Sequence, residues 1–232
     1  MCGIAGILSL SGDPVSPVLL RRMTDAIAHR GPDGEGIYTN NVVGLGHRRL
    51  AIIDPSSAGH QPMITEDGKY ALTYNGMVYN FQELRLRLES LGHQFRSMTD
   101  TEVVLHAFIE WREECVKYFN GMFAFAIWDK TRQELFLARD RYGIKPIYYT
   151  FTGRSFLFAS EQKAILSNQT VQREIDLEAL VEYFTFQNIF TDKTLFNGIK
   201  IFPAGCFAKI DVKNSSCELS PSKYWDFNFS EP

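Results

Sequence analysis

The 232-residue chain has no two cysteines at CxxC spacing, no run of lysine and arginine, and no apolar stretch near the length of a membrane span. Each absence removes a class of protein. Four cysteines, Cys2, Cys115, Cys206 and Cys217, stand singly, which argues against a zinc ribbon and against a disulfide framework. With no signal-peptide pattern ahead of them, they fit reduced thiols and a cytoplasmic location. The lack of basic runs and a formal net charge of -3 argue against a nucleic-acid surface. Without some 20 consecutive apolar residues there is no helix to cross a membrane. His29, His47, His60, His93 and His106 keep no metal-ligand spacing and read as structural, so no metal is expected. No repeat or low-complexity tract divides the chain. An aromatic content of 13% implies a sizeable core.

What is present alternates between two periods. Ile4 to Leu10 is a continuous apolar run and reads as a buried strand, ended by the turn formers of residues 11–14. Leu20, Met23 and Ile27 recur at helical spacing. Two β segments are expected around Gly36 to Thr39 and Val42 to Ile53, with Asn40-Asn41 as the turn between them. Tyr70 to Tyr74 reads as a strand halted at Asn75-Gly76. Phe81, Leu84, Leu88 and Leu91 mark a helix closed by Gly92. Thr99 and Glu102 fit a capping box, after which Val104, Phe108, Trp111 and Cys115 form one apolar stripe. Strands follow at 122–129, 134–140, 147–151, 155–160 and 206–212, with a helix on Leu177, Leu180, Val181 and Phe184. The pattern predicts an α+β chain of two packed sheets flanked by helices. The aromatic tail from residue 213 reads as an extension beyond a domain spanning 1–212.

Cys2 is the unusual residue. If Met1 is removed, a thiol and a free α-amine share one α-carbon, with reference pKa values of about 8.5 and 7.7–8.0. The amine can then take the proton of its own side chain and later return it to a leaving group. The alternative is a small apolar side chain opening a buried strand. Position alone favours that plainer reading.

Seven segments in order change the balance. MCGIAGI, HRGPDGEG, GHRRLAIID, YNGMVYNF, TDTEVVL, GMFAFAIWD and RDRYGIKPIYY resemble the glutaminase domain of class II glutamine amidotransferases, nearest the asparagine synthetase branch. The resemblance covers nearly the whole chain. It implies a four-layer αββα sandwich of the N-terminal-nucleophile hydrolase type. It also implies hydrolysis of the side-chain amide of L-glutamine through a γ-glutamyl thioester on Cys2, releasing ammonia. No cofactor is implied for this domain. ATP and Mg belong to a C-terminal ATP-pyrophosphatase synthetase domain, whose SGGxDS loop does not occur here, and a homodimer stays open. The ammonia acceptor stays open too, between aspartate and a cell-surface sugar, and so does a non-catalytic binding role.

The same resemblance distributes the roles. Asn75 and Gly76 would form the oxyanion hole, although Asn-Gly is also the commonest tight-turn dipeptide. Arg49 would hold the substrate carboxylate, with Leu50, Ile52 and Ile53 lining the pocket. Arg48 should point the opposite way if the segment is a strand, as an exposed sheet-edge arginine. Asp100 would hold the α-ammonium unless it is the helix cap in place of Thr99. One position departs from the pattern. Where relatives usually carry glutamate after Asn-Gly, this chain has Met77, and a thioether cannot assist Asp100 with charge. Weaker glutamine binding, a different amide substrate and loss of activity are the three outcomes. Arg139-Asp140-Arg141 with Gly143 and Lys145 reads as a turn held by charge pairing.

Overall fold

A computed structural model describes residues 1–212 and 218–229. Cys217 and the parts of the C-terminal extension at 213–217 and 230–232 lie outside the described residues. The described residues form two antiparallel six-stranded sheets. The first runs in the order Lys200–Ile201 (β10), Tyr148–Thr152 (β8), Ser155–Ala159 (β9), Gly3–Ser9 (β1), Val43–Arg49 (β3), Gly34–Asn40 (β2). The second runs Ser222–Lys223 (β12), Cys206–Asp211 (β11), Glu134–Arg139 (β7), Gly121–Asp129 (β6), Tyr70–Val78 (β5), Met63–Ile64 (β4).

Side-chain alternation sorts each strand between two neighbours. On β3, Val43 and Leu45 join the core between the sheets. Gly44 and Gly46 face the helix Pro17–Asp25 (α1), and a Cβ on Gly46 would stand 2.3 Å from Cγ2 of Thr24. The helix can therefore lie close only because that position is bare. α1 starts at Ser16, whose hydroxyl accepts the N–H of Leu19, with Pro17 in the first turn. Leu20, Met23 and Ile27 then pack with the helix Gln162–Leu166 (α5) on the outer face of the first sheet. The helices Phe81–Ser90 (α2), Asp100–Trp111 (α3) and Cys115–Tyr118 (α4) cover the second sheet, against Leu72, Tyr74 and Phe125. Helix, sheet, sheet, helix is the four-layer α+β sandwich expected of the sequence.

Several boundaries differ from the sequence reading. The strand at Tyr70 does not halt at Asn75-Gly76 but continues to Val78, paired through Ala124 and Phe123 of β6. Neither Asn75 nor Gly76 has the positive φ a tight turn requires. The hairpin turn sits at Asn41 (φ 42°), and β3 ends at Arg49, so Leu50 to Ile53 form a loop. The apolar stripe from Val104 is broken at Arg112 (φ 52°), which places Cys115 on a separate short helix. On Leu177–Phe186 (α6) the apolar residues do not face a core; Phe184 is 77% exposed and only Ala179 is buried. Helical spacing shows that one face is apolar, not that anything covers it. Among the described residues no helix is long and apolar enough to cross a membrane.

His47 joins the two sheets. It is fully buried on β3, and its Nε2 donates to the carbonyl of Tyr74 at 3.1 Å. Nδ1 has no partner among the described residues. Burial holds its pKa down at about 3. Because that value lies below the unfolded one, the folded state prefers the neutral ring. Its stabilising effect is present above pH 6.5 and is lost as pH falls from there towards 3. Between pH 7 and 5 this one group should cost about 2 kcal/mol. Urea titrations at the two pH values check it, and the same loss in His47→Gln would remove the assignment.

Candidate active site

One end of the layer between the sheets is open, as a cavity of about 160 Å³. Met1 and Cys2, ahead of β1, and the residues from Arg49 onward form one wall, and the second half of β5 forms the other. All nine residues singled out in the sequence, Cys2, Arg49, Leu50, Ile52, Ile53, Asn75, Gly76, Met77 and Asp100, line it. Side-chain alternation brings the far ones together. On β5, Tyr70, Leu72, Tyr74 and Val78 pack under the helices, so Thr73, Asn75 and Met77 face inward. Thr73 bonds the Gly46 carbonyl across the gap at 3.0 Å.

Cys2 precedes β1. Its Sγ accepts the N–H of Leu50 at 3.3 Å and reaches the carbonyl of the same residue at 3.6 Å. Burial raises the thiol pKa; the Leu50 N–H, the terminal ammonium and Arg49 act against that rise. The Cys2 carbonyl accepts Nε of Arg30 at 2.9 Å, and Arg30 is itself held on Glu161 at 2.8 Å. The His29-Arg30 loop therefore fixes the first residues of the chain.

Asn75 is 1% exposed, and its Nδ2 donor has no partner among the described residues. More than nine in ten buried polar groups find one. Gly76 lies flat against β6, where a Cβ would come within 2.6 Å of the Met122 carbonyl oxygen. Any other residue there would push β5 and β6 apart.

Arg48 and Arg49 point to opposite faces, as alternation requires. Arg48 is not the exposed sheet-edge residue expected. β2 occupies that edge, and Arg48 is held by Asp25, by Glu35 at 2.6 Å and by the Thr24 carbonyl at 3.2 Å. Arg49 turns into the cavity, bonding the carbonyls of Ser56 (2.8 Å) and Asp54. These bonds fold the loop that carries Ile52 and Ile53 over the mouth.

Thr99 is the cap of α3, its hydroxyl accepting the Glu102 N–H at 3.3 Å. The return limb of the capping box is absent, because Glu102 accepts the N–H groups of Arg96 and Ser97 instead. Asp100 is thereby free of capping and reaches the cavity, where it accepts Tyr74 Oη (2.6 Å) and the Val78 N–H (3.0 Å). Desolvation raises its pKa against the pull of these bonds. The sequence reading missed Tyr74, which orients Asp100 from the helix side of β5, and Lys145, which lines the cavity. The segment carrying Lys145 is not a charge-paired turn. Asp140 accepts four backbone N–H groups, among them Phe123 and Lys145, while Arg139 bonds the carbonyls of Lys145 and Gly143.

A sandwich of this layering, with a thiol opening the central strand at the mouth of an inter-sheet cavity, is the N-terminal-nucleophile fold. Comparison with known proteins narrows the class. The family described as "Glutamine amidotransferase domain" matches residues 1–225, and the chain belongs to it. It is 45% identical over 204 residues to glutamine-hydrolyzing asparagine synthetase 3 of Bacillus subtilis (strain 168), covering 86% of this chain and 33% of that protein. It is 41% identical over 204 residues to a putative glutamine-hydrolyzing asparagine synthetase 2 of Methanocaldococcus jannaschii, covering 79% and 39%. The chain thus spans about a third of the length of the curated relatives it matches. A solved structure of glutamine phosphoribosylpyrophosphate amidotransferase from B. subtilis superposes with a TM-score of 0.68 over 97% of this chain and 49% of that one. At 19% identity, it speaks for the fold alone.

Proposed function

We propose that this domain hydrolyses the side-chain amide of L-glutamine and supplies ammonia to a synthetase reaction. The observation that carries the reading is the unpartnered amide donor of Asn75, buried in the wall opposite the Cys2 thiol. Such a donor costs stability and is repaid when an oxyanion accepts it.

With Met1 removed, the α-amine of Cys2 takes the thiol proton and Sγ bonds the amide carbon. Asn75 Nδ2 and the Gly76 N–H receive the negative charge on oxygen. As the carbon–nitrogen bond breaks, the ammonium returns its proton to the leaving nitrogen, giving ammonia and a γ-glutamyl thioester. A water, deprotonated by the same amine, then cleaves the thioester to glutamate and restores the thiol. The free N–H groups of Arg49 take the substrate carboxylate and Asp100 its ammonium, while Leu50, Ile52 and Ile53 close the pocket.

On this reading, residues 1–212 form the glutaminase unit. Residues 213–232 lead towards a C-terminal ATP-pyrophosphatase synthetase region, where ATP and Mg would be used. Aspartate is the favoured acceptor, in keeping with the names of the relatives. Ammonia and glutamate release from L-glutamine, measured on protein whose intact mass shows it beginning at Cys2, tests the proposal. No release from that form overturns it.

Met77 should weaken substrate binding rather than chemistry, because the ammonium lies remote from the reacting carbon. Met77→Glu is expected to lower KM for glutamine about three- to tenfold with kcat little changed, the worth of one partly solvated charge contact. An unchanged KM would remove the role given to this position.

A further inference from the structure

Lys145 is 5% exposed and its ammonium makes no ion pair among the described residues. Lysine is rarely so buried unless it is paired. Its one hydrogen-bond acceptor there is Sδ of Met1, at 3.1 Å. A thioether is a weak acceptor, so the contact does little to neutralise the charge. The residue is anchored by its backbone, whose N–H donates to Asp140 and whose carbonyl accepts Arg139. The side chain is therefore delivered to the cavity independently of what its head group touches.

Two other cations stand nearby, and Arg49 also favours the thiolate. Arg30 is bound by Glu161 and the Cys2 carbonyl, and Arg49 by the carbonyls of Asp54 and Ser56. The thiol also faces the terminal ammonium of Met1, Asp100 and Tyr74, while Lys145 faces Arg30 and Asp140. Asp100 is held by Tyr74 and Val78, and Asp140 by four backbone amides.

We propose that Lys145 is a positioning residue for the nucleophile, its uncompensated ammonium easing loss of the thiol proton to the neutral α-amine of a chain that begins at Cys2. This rests on the glutaminase reading above. One fixed positive charge acts on both groups of the resting site, strengthening the thiol as an acid while weakening the amine as a base. It stabilises an anion on sulfur, and it disfavours a second cation on the α-nitrogen, so the amine stays basic in form at neutral pH. Burial lowers the lysine's own pKa, Arg30 lowers it further, and Cys2 acts to raise it. The thiolate and the ammonium thus support each other.

The test is the pH dependence of Cys2 alkylation by iodoacetamide, followed on the N-terminal peptide, in wild type, Lys145→Met and Lys145→Arg. Lys145→Met is expected to move the acidic limb up by about one pH unit, a roughly tenfold slower alkylation at pH 6.5. Lys145→Arg, which keeps the charge, should restore the wild-type profile, and kcat/KM for glutamine should move in parallel. A purely structural lysine would change the extent of folding, not the position of the limb. Superimposable profiles for wild type and Lys145→Met, or equal displacement in Lys145→Arg, overturn the proposal. Alkylation needs no turnover, so absence of ammonia release alongside a displaced profile would overturn the glutaminase reading and leave the electrostatic role standing.

Discussion

Cys2→Ala is expected to reduce ammonia release from glutamine by more than about 10⁴-fold, with folding almost untouched. Loss of the nucleophile removes the covalent path, and what remains is binding and the oxyanion donors acting on water. The stability cost is small because the side chain is half-buried ahead of β1 and its sulfur hydrogen bonds among the described residues are two, both to Leu50. Those are worth about 1 kcal/mol or less. A companion form separates the two functions assigned to this residue. With one residue fused ahead of Cys2, the thiol and its Leu50 contacts persist, but the nitrogen becomes an amide and loses its basic lone pair. That form should be as inactive as Cys2→Ala and still be alkylated at sulfur. Ammonia release from the fused form at the rate of the chain beginning at Cys2 would rule out the α-amine as base.

The four layers can be read in the sequence because burial on one or both faces leaves a periodic trace. GMFAFAIWD is nearly all apolar, since β6 packs against the opposite sheet on one side and helices on the other. The site was legible in a different way, as short segments far apart in the chain that only the closing of two sheets brings to one cavity. Three kinds of information left no trace. Asn-Gly carries the same local signal whether it makes a turn or a flat approach to β6, and only pairing with Ala124 and Phe123 decides between them. Lys145 lies in a segment dense with charge, where the natural inference is pairing with Asp140. That carboxylate instead organises backbone amides, leaving the ammonium for the cavity. The exposed apolar face of α6 is a third case, since spacing reports which residues share a face and not what lies opposite it.

Asn75→Ala is expected to lower kcat about 10²- to 10³-fold with KM within about threefold, the cost of removing one preorganised donor to an oxyanion. The amide contacts the reacting oxygen only as charge develops, so the effect falls on the transition state more than on binding. Stability supplies the control. A buried donor without a partner costs about 1–3 kcal/mol, and its removal offsets the packing lost on truncation. The melting temperature should therefore stay within about 3 °C of wild type. A structural asparagine would behave in the opposite way, with a large fall in melting temperature and kcat changing only as far as the folded fraction does. Gly76 gives no such variant, because any side chain there collides with Met122 and Phe123 and would confound the two effects. The decisive pairing is thus a large fall in kcat at unchanged melting temperature in Asn75→Ala, and a normal kcat in that variant would remove the oxyanion role from β5.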